Sequence, residues 1–66
     1  MKASDLRKQE ISELHKLLSD KRRELANLTY EKSLGKLKNT EKIRQVKKDI
    51  ARILTVLREK EILKNG

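Results

Sequence analysis

Apolar residues fall along this chain in two helical rhythms. Ile43, Val46, Ile50, Ile53 and Leu57 are spaced 3-4-3-4. That is the repeat of one buried helix face. Ile11, Leu14, Leu18, Leu25 and Leu28 keep the same beat, with Leu17 flanking it. The first rhythm skips one turn, at Lys21 and Arg22. Both side chains are long enough to lay their stems on the stripe and send their charges to water.

Between the two patterns stands Gly35, the one internal glycine in a chain without proline. Glycine suits the left-handed position just past a helix end. The reading is one helix over about 10–34, a turn over 35–39 and a second helix over about 40–61. Asn39 or Thr40 can cap the second helix, and Glu41 sits in its first turn, where the helix dipole favours a carboxylate. Ser4 and Asp5 can cap a short preliminary turn anchored by Leu6. Two helices of this length, about 35 Å at 1.5 Å per residue, joined by a short connection must run antiparallel. The expected fold is therefore all-α: a long antiparallel two-helix hairpin over residues 1–66, a single domain closed at its turn by Leu34 and Leu37.

The polar positions carry a second pattern. Arg44, Lys48 and Arg52 are spaced 4-4. On a wheel of 100° per residue, Ile43, Val46, Ile53, Leu54 and Leu57 lie within about 60° of Ile50, and the three cations lie on the far side. Lys47 and Arg58 flank the stripe, Thr55 sits beside the ridge and Ala51 borders it. The second helix thus presents an apolar stripe to its partner and a basic ridge away from it.

Composition sharpens the contrast. The chain of 66 residues has a formal charge of +8, and 42% of its residues are charged. Residues 1–34 hold eight Lys/Arg and six Asp/Glu, or +2; residues 35–66 hold ten and four, or +6. A pI of about 10.1 fits a nucleic-acid-binding domain. Cations one helical turn apart are separated by about 6 Å, close to the spacing of successive phosphates, and such contacts position rather than specify. Arg44, Lys47, Lys48, Arg52 and Arg58, supported by Lys36 and Lys38, are the candidate binding residues. Asp49, Glu59 and Glu61 offer the competing reading, a solvated coiled-coil face neutralised by neighbouring acids.

Other chemistries find little support. There is no cysteine, and no Cys/His or Asp/Glu cluster has metal spacing. No glycine-rich phosphate loop is present. His15 stands alone, at the border of the polar face. A two-helix hairpin has little room for a closed pocket, so no enzyme, cofactor or metal site is expected. Tyr30, the sole aromatic, falls opposite the leucine stripe. It suits either stacking on a base or partial exposure with no partner. No apolar run approaches the ~18 residues of a membrane span, and MKASDLRKQE lacks the apolar core of a secretory signal, so a cytoplasmic protein is expected.

At this point the sequence resembles a known family, ribosomal protein twenty-nine of the large subunit. The most specific match is IRQVKKDIARILTVLREK, with Lys47-Lys48-Asp49-Ile50-Ala51-Arg52 at its centre. The opening MKASDLR, Asn27-Leu28 and Gly35-x-Leu37 match as well. The chain departs from the common pattern at Glu10, where a serine or threonine cap is usual, and at Thr29 and Glu31, where arginine and glutamine are usual. The resemblance implies a helical hairpin bound to large-subunit ribosomal RNA on the rim of the polypeptide exit tunnel. It implies ribosomal protein twenty-three as a neighbour, and a site where targeting factors and nascent-chain chaperones dock. The free protein is expected to be a monomer. The alternative from another class is a self-associating coiled-coil adaptor, its stripes joined in a four-helix dimer.

Overall fold

The computed structural model describes residues 2–65, with side chains through Leu63. Met1 of the opening motif and Gly66 lie outside the described residues. The described chain forms three helices: α1 over Ala3–Arg7, α2 over Ile11–Ser33 and α3 over Glu41–Asn65. The two long helices pack side by side, and α1 folds back onto α3. The molecule measures 47 × 17 × 14 Å. Its radius of gyration of 13.8 Å exceeds the roughly 11 Å of a compact chain of this length. Its accessible surface of 5184 Å² exceeds the roughly 4,400 Å² typical of its mass. The protein is a thin rod with surface to spare.

The helix ends follow from backbone hydrogen bonding. At the end of α2 the Gly35 N–H donates to the Lys32 carbonyl (3.0 Å) and the Lys36 N–H to the Glu31 carbonyl (3.0 Å). This pair of bonds is the Schellman closure, and Gly35 takes the left-handed turn it requires, with φ of +72°. Asn39 starts α3: its Oδ1 accepts from the Glu41 N–H at 3.0 Å, while the Thr40 carbonyl accepts from Ile43. Helix α3 runs to Asn65, past the expected end near 61, because no breaker precedes Gly66.

The N-terminus differs more. Lys2 occupies the N-cap of α1, without a side-chain cap. Ser4 and Asp5 therefore lie inside the first turn rather than capping it. Glu10 caps α2 by backbone position alone. Leu6 is the anchor of α1, almost wholly buried.

The core has two parts. At the α1 end, Leu6, Leu14, Leu18, Ile53, Val56 and Leu57 are buried together. At the hairpin end, Leu28, Ile43 and Val46 form a smaller cluster, with Leu25 and Leu37 against it. Ile50 touches both clusters. Leu34 is half exposed, so Leu37 alone of the expected pair closes the turn. Leu34 stands immediately before the chain reverses at Gly35 and lines an open recess with Tyr30 and Lys36.

Between the clusters lies Asp49, only 6% exposed. Its Oδ2 is 3.8 Å from the Lys21 ammonium, which also reaches Glu24 Oε2 at 3.4 Å. Lys21 thus turns its charge toward the seam, against the expectation that both cations of the skipped turn reach water, because the buried Asp49 carboxylate lies there. Arg22 is exposed.

Candidate nucleic-acid interface

The candidate residues lie on the outer surface of α3 and in the connection before it. Ile43, Val46, Ile53, Val56 and Leu57 are buried, and this fixes the rotation of the helix. Residues half a turn away must then face water. Arg44, Lys47, Lys48, Arg52 and Arg58 are all exposed, as are Lys36 and Lys38 in the connection.

The structure does not gather all seven in one place. Arg44 and Lys47 line an open recess near the hairpin end with Lys32, Thr40 and Ile43. Lys36 lines a different one with Asn27, Tyr30, Glu31 and Leu34. Arg52 lines a third, between α1 and α3, with Ala3, Arg7, Ala51, Thr55 and Val56. Lys32 and Arg7 are cations beside the candidate residues that spacing on α3 alone did not find. Lys32, in the last turn of α2, faces the first turn of α3 only once the turn closes. Arg7 enters through the docking of α1.

The acids proposed as neutralisers of the ridge also have partners on other helices. Asp49 approaches Lys21. Glu59 Oε2 accepts from Arg7 Nε at 3.1 Å, and Glu59 Oε1 from Arg7 Nη2 at 3.4 Å. Glu61 lies 3.7 Å from His15 Nε2, with both side chains half exposed. Each of these contacts joins α3 to another helix. Arg44 lies 3.4 Å from Glu41, one turn earlier on its own helix. Both groups are highly exposed there, and such pairs contribute little. The hydrogen bond from Arg7 to Glu59, and the carboxylate's charge, raise the Arg7 pKa above its ordinary value, so Arg7 is a permanent cation.

Tyr30 is exposed on the outer face of α2. Thr29 donates to the Ala26 carbonyl at 2.9 Å and Ser33 to the Tyr30 carbonyl at 2.6 Å. Among the described residues no group of His, Asp and Glu has the arrangement of a metal site. No described helix is long and apolar enough to cross a membrane.

The sequence has counterparts among known proteins. The family model described as Ribosomal L29 protein matches residues 4–60, which takes in α2 and most of α1 and α3. The chain belongs to this family. It is 48% identical over 66 residues to the large ribosomal subunit protein uL29 of Sulfurihydrogenibium sp. (strain YO3AOP1), covering 100% of this chain and 98% of that relative. It is 50% identical over 62 residues to uL29 of Thermotoga maritima, 94% of each chain. The uL29 protein of Chloroflexus aurantiacus (strain J-10-fl) is 50% identical over 62 residues, 94% of this chain and 91% of that one. In this member of the ribosomal L29 family the stripe and ridge read from spacing belong to a hairpin braced by a short leading helix.

Proposed function

We propose that this protein is a structural constituent of the large ribosomal subunit, in the cytoplasm, and that α3 binds large-subunit ribosomal RNA through its basic side. Membership of the ribosomal L29 family supports the assembly. The observation that carries the RNA contact is the exposed line of Arg44, Lys48 and Arg52 opposite a buried apolar stripe, with Lys47 and Arg58 exposed on its flank. Lys36 and Lys38 extend the positive surface across the connection.

The mechanism is electrostatic docking of a preformed shape. Burial of the stripe fixes which side of α3 the cations occupy before RNA arrives. Counterions released from the phosphates then drive association. No reaction is catalysed. The position at the exit-tunnel rim, ribosomal protein twenty-three as neighbour, and the docking of targeting factors or nascent-chain chaperones belong to the same proposal, carried by family likeness. The free protein is a monomer, because its apolar stripes are already joined within one chain; sedimentation of the purified protein as a dimer would favour the adaptor alternative.

The test is binding to deproteinised large-subunit RNA across a salt series. Replacing Arg44, Lys48 and Arg52 together by glutamine weakens binding and flattens the logarithmic salt slope by up to about 3. An unchanged slope would remove these residues from the interface.

A further inference from the structure

The recess between α1 and α3 has a volume of about 170 Å³ and is lined by Ala3, Arg7, Ala51, Arg52, Thr55 and Val56. Its walls are mostly apolar. Ala3 and Ala51 are small, and the Thr55 hydroxyl donates to the Ala51 carbonyl at 2.9 Å, which leaves its methyl group for the wall. Arg7 is held in place from two directions. Glu59 takes Nε and Nη2, and the Lys60 ammonium donates to the Arg7 carbonyl at 2.7 Å. A guanidinium gripped along its edge keeps its planar faces for stacking. An apolar slot between arginines, at one end of a line of cations, matches a flat group attached to a phosphate chain.

We propose that this recess receives one unstacked base of the bound RNA, with Arg7 and Arg52 as its charged walls. The inference rests on the RNA-binding reading and adds a subsite to it. Sequence-tolerant recognition of RNA commonly splays a base onto apolar or guanidinium surfaces. Here the phosphates along Arg44, Lys48 and Arg52 would bring the backbone past the mouth of the recess. The base then lies against Ala51, where the backbone of α3 is least covered. The recess is formed before binding, because Leu6 buries α1 against α3.

The experiment uses the whole chain and deproteinised large-subunit RNA from Thermotoga maritima. Ala51→Leu and Thr55→Leu each fill the recess from an exposed position on α3. Ser19→Leu adds the same side chain to an exposed position on α2 and serves as control. Thermal melts followed by circular dichroism confirm that all three fold. The two recess variants bind about tenfold more weakly than wild type at every salt concentration, with the slope unchanged, as for loss of one stacked base. Ser19→Leu binds like wild type. One base shielded from dimethyl sulfate by the wild-type protein becomes reactive with Ala51→Leu. Recess variants that bind as tightly as wild type, or that flatten the salt slope, overturn the proposal while leaving RNA binding intact. Variants with normal RNA affinity that fail to enter subunits would place a protein side chain in the recess instead. Failure of the wild-type protein to bind this RNA at any salt would defeat the functional reading itself, and the subsite with it.

Discussion

At the scale of single residues, the buried Asp49 departs most from an apolar seam. One carboxylate oxygen faces Lys21, and the other has no hydrogen-bond partner among the described residues. Burying such a group costs stability, and the pair returns it only in part across 3.8 Å. Removing Lys21 alone leaves the carboxylate buried without a cation. Lys21→Met is therefore expected to destabilise the fold by about 1–3 kcal/mol, below the cost for fully buried pairs because Lys21 retains some solvent contact. The double variant Lys21→Met, Asp49→Leu should recover that loss or exceed it. Urea titration of the three proteins checks both statements, and equal stability of the single variant and wild type would show the pair to be inert. Helical spacing did not reveal this residue. On a wheel centred on Ile50, Asp49 lies about 100° away, at the edge of the polar side. Val56 is buried on that side as well, and Lys21 of α2 meets Asp49 there; only tertiary contact supplies that information.

At the scale of elements, the hairpin turn was legible because the two helix ends beside it have local causes. Gly35 ends α2 by its backbone freedom, and Asn39 begins α3 with its side-chain oxygen. A Cβ added at Gly35 meets nothing within 4 Å, so substitution there costs backbone strain alone. Gly35→Ala should cost about 1 kcal/mol, or roughly 4–8 °C of melting temperature. Gly35→Asn should cost less, since asparagine tolerates the left-handed region better. The start of α1 was less legible. It begins at Ala3 without a capping side chain, and its stability comes from Leu6 rather than from its ends. Leu6→Ala is accordingly expected to cost about 2–5 kcal/mol. That rivals the entire margin of a small single-core protein. A denaturation midpoint unmoved by this change would mean that α1 does not brace the hairpin in solution.

At the scale of the whole molecule, charge and shape act together. A rod 47 Å long and 17 Å wide carrying +8 repels itself along its length. Melting temperature should rise as salt is added or as a polyanion binds; a steady fall with salt would contradict this. The basic line on α3 was visible in the sequence because helical spacing decides which side chains face out once the stripe is buried. The recesses were not visible. Two of them join residues from different helices, Arg7 with Arg52 and Lys32 with Arg44, and their proximity depends on how the helices meet.

The division of the core by Asp49 also bears on dynamics. The larger cluster lies at the α1 end and the smaller at the turn, so local opening is expected to begin at the turn. Backbone amides around Val46 and Leu28 should exchange hydrogen for deuterium sooner than those around Ile53 and Leu14. RNA would then meet a molecule with one firm end and one compliant end: the slot beside Arg7 held in shape, the cations near Lys32 and Arg44 able to settle onto whatever curve the phosphates follow.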